Sequence, residues 1–214
     1  MALLNEEVRG QLKEFFGLMK DDVTIALFTK EEPCETCKET REFMGEIESI
    51  TEKIHLEEFD LDKDHEKAKE YNVVMTPSIV LLDGEKNHRG VKFNGIPAGH
   101  EVNSFIKGIM EISGAADQLP ESYQEELKTI TKPVNIKVFV TLGCPHCAGA
   151  VEKAHKLALG SDLIDAEMIE AQTFNEVANK FQVSSVPKVV INDEFEFVGN
   201  QTLDTFIEEI RKTQ

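Results

Sequence analysis

The chain contains four cysteines, Cys34, Cys37, Cys144 and Cys147, which form two CxxC pairs with none left over. Two thiols separated by two residues can close into a disulfide and reopen, so each pair is a potential two-electron carrier. In that chemistry the thiolate of one cysteine attacks a foreign disulfide and the second thiol resolves the mixed disulfide. The competing chemistry is four thiolates on one zinc ion. Zinc ribbons space their pairs by roughly 15–20 residues, whereas these pairs stand 110 residues apart, which favours the redox reading. Structural staples in a secreted mini-protein fit poorly too. The chain is 214 residues long, and its first residues, Met1 to Val8, lack a basic region followed by a long apolar run. The expected location is therefore the cytoplasm.

The elements that would position these cysteines occur twice. Each CxxC is followed 43 residues after its first cysteine by a proline, in Thr76-Pro77 and Val186-Pro187. At the same offset of 110, Ala68 matches Ala178, Tyr71 matches Phe181, Val73 matches Val183, and Ile79-Val80-Leu81 matches Val189-Val190-Ile191. Near the ends, Ser104-Phe105-Ile106 recurs as Thr205-Phe206-Ile207. The chain is read as a tandem duplication, with one unit over 1–115 and the other over 116–214. Each unit has the same order. An amphipathic helix (Val8, Leu12, Phe15, Phe16; then Tyr123, Leu127, Ile130) precedes an apolar strand, and the CxxC opens the next helix. A second strand, a short helix, the X-Pro, a hairpin and a last helix follow. The hairpin region is six residues longer in the first unit, measured from the proline to Gly95 or Gly199. This βαβα-ββα order predicts an α/β chain in which each unit has a mixed sheet of about four strands flanked by helices.

The formal net charge is −17, from 23 Lys+Arg against 40 Asp+Glu. Such a surface repels phosphate backbones and anionic lipid, which argues against nucleic acid or a membrane as partner. No apolar run is long enough to span a bilayer. No dinucleotide fingerprint appears, so the cysteine pairs are expected to carry the electrons without a cofactor, supplied by another protein or a small thiol. The glycines 84, 90, 95 and 99 are read as turns rather than a phosphate loop.

The paired CxxC and X-Pro motifs resemble the thioredoxin superfamily over essentially the whole chain. The tandem arrangement is similar to the protein disulfide oxidoreductases, or glutaredoxin-like proteins, of thermophiles. The resemblance implies two tandem thioredoxin-like folds and an enzyme that reduces, forms and reshuffles protein disulfides, akin to a protein disulfide isomerase. A more distant similarity is to the N-terminal portion of alkyl hydroperoxide reductase flavoproteins, disfavoured here because that family keeps a single CxxC. The alternative function is an electron relay from a thioredoxin-reductase-like flavoprotein to a peroxiredoxin. A third possibility, from a different class, is a binding or chaperone module. Within the resemblance, Cys34 and Cys144 are the attacking nucleophiles and Cys37 and Cys147 the resolving thiols. Pro77 and Pro187 are expected to be cis, with Thr76 and Val186 presenting backbone to an extended substrate. The chain has no Trp, and Pro33 and Gly143 stand where thioredoxins carry an aromatic residue.

The two sites are not equivalent in charge. Residues 31–70 hold 15 acidic and 6 basic side chains, including Glu31, Glu32, Glu35 and Glu39, against 6 and 3 over residues 141–180. Negative charge opposes thiolate formation, so the first site is expected to be the more reducing. The second site, Cys144-Pro145-His146-Cys147, carries a proline suited to a helix start and a histidine able to be cationic beside the thiolate. Its expected potential lies between the roughly −270 mV of thioredoxin and the roughly −120 mV of the periplasmic oxidase that also carries Pro-His. Glu58, 19 residues before Pro77, is a candidate proton shuttle, although a plain surface role also fits. Of the six histidines only His146 receives a role, the rest being expected at the surface.

Overall fold

The computed structural model describes residues 4–31, 33–117 and 119–214. Glu32, singled out above for its charge, lies outside the described residues.

The first half contains α1 (Glu6–Phe16), β1 (Val23–Thr29), α2 (Cys37–Glu48), β2 (Ile54–Asp60), α3 (His65–Glu70), β3 (Ser78–Leu82), β4 (His88–Asn94) and α4 (Glu101–Ile112). The second repeats it as α5 (Glu121–Leu127), β5 (Val134–Val140), α6 (Cys147–Leu159), β6 (Ile164–Glu170), α7 (Asn175–Lys180), β7 (Lys188–Ile191), β8 (Phe195–Val198) and α8 (Leu203–Arg211). Local signals set several boundaries. The Asn5 side chain accepts from the Val8 N–H to start α1, and Gly160 closes α6.

The halves do not keep separate sheets. All eight strands form one sheet in the order β2-β1-β3-β4-β6-β5-β7-β8. The join is the parallel pairing of β4 with β6, from Val91 opposite Ala166 to Asn94 opposite Ile169. The first half also has the longer hairpin. Its β4 runs for seven residues, against four for β8, and the last four of them make the join. Val91 and Phe93 of β4 are fully buried at that join.

One face of the sheet is covered by a core that runs across both halves. It includes Leu12 and Phe16 of α1, Phe43, Met44 and Ile47 of α2, Phe105 and Ile109 of α4, Val151 and Ala154 of α6, and Phe206 of α8. The opposite face carries two smaller clusters, one under α3 (Ala26, Phe28, Ala68, Tyr71) and one under α7 (Phe139, Ile169, Ala178, Val190). Between them lies a buried polar strip. The Asn94 amide donates to Glu167 at 2.7 Å, and the Lys92 ammonium donates to the Asn72 carbonyl at 2.6 Å.

Close backbone approach at the seam requires glycine at two points. Gly90 (φ +73°) and Gly99 (φ +58°) each sit where a Cβ would come within 2.3 Å of a carbonyl oxygen, of Ile164 and Leu142 respectively. The seam also corrects the expectation for the histidines. His155 is 1% exposed, edge-on to Phe93 with ring centroids 4.7 Å apart, and His88 is largely buried beside Tyr71. Neither could be recognised as interior without knowing that one half covers the other. Among the described residues no helix is long and apolar enough to cross a membrane.

Candidate active site

Both cysteine pairs are closed as disulfides, Cys34–Cys37 and Cys144–Cys147, each with Cα atoms 5.5 Å apart. The helices begin one step later than the sequence suggests. Cys37 and Cys147 are the first residues of α2 and α6, so the first cysteine of each pair stands ahead of the helix rather than on its face. Pro145 accordingly precedes the cap residue His146 instead of occupying the first turn. This arrangement leaves Cys37 and Cys147 buried at 5% and 0% exposure, while Cys34 is partly exposed and Cys144 is 9% exposed. The outer cysteine of each pair is the more exposed of the two and stands at the positive end of the helix that its partner opens.

Both X-Pro bonds, Thr76-Pro77 and Val186-Pro187, are cis. Pairing of Phe28 with Ser78, and of Phe139 with Lys188, puts each proline beside the strand end that leads to its CxxC. Thr76 and Val186 are both partly buried, and the Thr76 hydroxyl has no hydrogen-bond partner.

Strand directions fix how the two sites relate. β1 is antiparallel to β3 and β3 to β4, while β4 and β5 both run parallel to β6, so β1 and β5 point the same way. Both dithiols leave carboxyl ends on one edge of the sheet. Because α2 and α6 pack into the same core cluster, they also share one face. Four strand spacings separate β1 from β5, roughly 19 Å at the usual interstrand distance.

A residue that the sequence reading passed over lies near the level of the second dithiol along α4. Glu101 opens α4 and is fully buried. The Ser104 hydroxyl donates to its Oε2 at 2.6 Å, and its Oε1 has no hydrogen-bond partner. Burial raises its pKa to about 7, helped by nearby Glu152 and opposed by Ser104. Helix α4 runs alongside α6 in a fixed register, set by Lys107–Glu152 at 2.6 Å and Glu111–Lys156 at 3.6 Å. One and a half turns back along that register, Glu101 comes level with the start of α6, where Cys147 sits. The His100 N–H, donating to the Leu142 carbonyl at 3.0 Å, fixes the same end. A signal was available: Glu101 lies on the apolar stripe of Phe105, Ile109 and Ile112, where a carboxylate is out of place.

Glu58 is half-exposed on β2 and paired with Arg41 at 2.6 Å. Its partner in the repeat, Met168, is fully buried. Among the described residues no group of three or more His, Cys, Asp or Glu side chains is placed to hold a metal ion.

Comparison with known proteins agrees with this geometry. The thioredoxin-domain family matches residues 134–212. The structure of the NTD_N/C domain of alkylhydroperoxide reductase AhpF from Enterococcus faecalis superposes with a TM-score of 0.90 at 31% identity, covering 97% of this chain and 99% of that one. This chain belongs to the tandem thioredoxin-fold family. Another member, a protein disulfide oxidoreductase from Aeropyrum pernix K1, superposes at a TM-score of 0.89 and 29% identity, covering 98% and 93% of the two chains. The F component of the alkyl hydroperoxide reductase of Staphylococcus aureus (strain Mu50) is 27% identical over 212 residues, 99% of this chain. The chain spans 38% of the length of that relative. Similarity to the alkyl hydroperoxide reductase branch is thus as great as to the disulfide oxidoreductases, not more distant as the second CxxC suggested. The chain is a thioredoxin-fold protein of the thiol–disulfide oxidoreductase type with two CxxC sites.

Proposed function

We propose that this protein exchanges disulfides with protein clients in the cytoplasm, reducing, forming and reshuffling them. The observation that carries this reading is the pair of helix-start dithiols, each with its outer cysteine more exposed than its inner one and a cis-proline beside it. In the reducing direction, the Cys144 thiolate attacks one client sulfur and the other leaves as a thiolate. Cys147, having passed its proton to Glu101, then attacks the Cys144 sulfur and releases the second client thiol. Two electrons pass to the client, and the protein ends in the closed form described above. Cys34 and Cys37 perform the same sequence at the first site without a buried carboxyl. Thr76 and Val186, before their prolines, would offer backbone groups to an extended client strand.

A second reading is favoured by the resemblance to AhpF of the alkyl hydroperoxide reductases. In that reading the dithiols relay electrons from a thioredoxin-reductase-like flavoprotein to a peroxiredoxin. Dithiol-driven insulin reduction separates both from a plain binding module: wild type should precipitate insulin, and a variant lacking all four cysteines should not. Activity equal in the two proteins would refute an oxidoreductase. A relay would be fast with one partner protein and slow with insulin.

A further inference from the structure

The two repeats place closely matched machinery in very different surroundings, and that contrast bears on which clients each site accepts. Residues 31–41 carry four acids (Glu31, Glu32, Glu35, Glu39) and two bases (Lys38, Arg41), whereas residues 141–151 carry no Asp, Glu, Lys or Arg. Arg41 is already committed to Glu58. The neighbouring loop sharpens the difference. Asp60 pairs in register with Thr29 at the end of β1, which brings Asp60, Asp62 and Asp64 to the rim of the first site. The repeat equivalents are Glu170, Gln172 and Phe174. The lone base in that loop, Lys63, is held by Asp60 at 2.8 Å and Glu31 at 3.2 Å.

The loop before the X-Pro also differs: the first site exposes an apolar side chain there, whereas the exposed apolar residue of the second site, Val198 at 47%, lies on the strand opposite Lys188. Val74 is 78% exposed, more than any other large hydrophobic residue described, and lies on the loop leading into Thr76-Pro77. Its repeat equivalent is the exposed Ser184. An isolated valine on a surface needs no explanation. Placed two residues from the X-Pro of the more acidic site, it complements a segment carrying both an apolar side chain and positive charge.

Building on the disulfide-exchange reading above, we infer that the first site selects client disulfides flanked by basic and apolar residues, while the second accepts disulfides with little regard to flanking charge. The acidic rim steers cationic segments toward Cys34 and repels acidic ones, and Val74 packs against the apolar neighbour.

The test uses the reduced full-length chain in two forms, Cys144→Ser/Cys147→Ser and Cys34→Ser/Cys37→Ser. Each is given two fluorescence-quenched disulfide peptides, one with Lys and Leu flanking the cysteine and one with Glu and Ser. With only the first site active, kcat/KM should favour the Lys/Leu peptide by about tenfold or more at low salt, and the preference should shrink in 0.5 M NaCl. With only the second site active the two peptides should agree within about threefold. Val74→Ser, an exposed substitution, should lower first-site kcat/KM for the Lys/Leu peptide about threefold, and should leave the rate with the Glu/Ser peptide unchanged. Equal rates for both peptides at the first site, or an identical preference at both sites, would overturn the selection. Failure of both variants to reduce either peptide would instead overturn disulfide exchange itself, and the selection with it.

Discussion

The His100 N–H donates to the Leu142 carbonyl at 3.0 Å, linking the residue before Glu101 to the loop that reaches Cys144 two residues later. Through this bond, the end of α4 that carries the buried Glu101 is anchored to the loop of the second dithiol, which is the geometry behind its proposed proton transfer with Cys147. The last helix of the second half carries Thr202 at the matching place, where its hydroxyl caps α8 instead. Glu101→Gln should therefore slow second-site turnover roughly ten- to a hundredfold, within the range of general acid–base effects, and leave the first site unchanged. Resolution needs Glu101 to accept a proton, so the second-site rate should rise as pH climbs through about 7. The Gln variant should lose that inflection. A variant retaining both rate and pH profile would remove Glu101 from proton handling.

Redox potentials should follow the local fields. Carboxylates around Cys34 disfavour its thiolate and so favour the disulfide, whereas His146 and a flanking segment, residues 141–151, with no Asp or Glu favour the reduced form at the second site. Titration of each single-site variant against a glutathione couple should give the more negative potential to Cys34–Cys37. The reverse order would show that something other than nearby charge sets the potentials.

How much of this was legible in the sequence depended on whether a feature was local. The two dithiols, the two X-Pro positions and the strand–helix order were readable because each rests on spacing along the chain, and Gly160 stopped α6 where a glycine should. The seam was not readable. Pairing of β4 with β6 depends on surfaces 70 or more residues apart, so the interior positions of His155 and Lys92 had no local signal. Glu101 falls between these cases. Its place on an apolar stripe was visible, but its level beside the second dithiol was not, because that dithiol belongs to the other repeat.

Buried ionisable groups at the seam give stability an unusual pH dependence. Burial raises Glu111 to about 7 despite Lys156 nearby, and neither of its oxygens is hydrogen-bonded. The folded state thus holds the Glu111 proton more tightly than the unfolded chain does. That contribution is full below about pH 4.5 and is lost as pH rises through about 7. His155 works in the opposite sense: burial lowers it to about 4, so its contribution is present above about pH 6.5 and lost as pH falls through 4. Urea unfolding at pH 5 and pH 8 should find Glu111→Gln stabilised relative to wild type at pH 8 by on the order of 2–3 kcal/mol more than at pH 5. An identical difference at both pH values would mean that Glu111 does not titrate in the folded protein over this range.

The continuous sheet makes a prediction about cooperativity. Phe93 is fully buried at the seam, edge-on to Phe105 at 5.3 Å and to His155 at 4.7 Å, so it ties the last strand of the first half to helices from both halves. Truncating a buried phenylalanine costs about 3–5 kcal/mol. If the halves unfolded separately, Phe93→Ala would move one transition and leave the other in place. With a shared core and a shared sheet, calorimetry should show one transition for wild type and one for Phe93→Ala. The midpoint of the variant should be lower by roughly 10 °C, since each kcal/mol shifts a chain of this size by about 2–4 °C. Two resolved transitions, only one of them displaced, would show that the β4–β6 pairing does not couple the repeats.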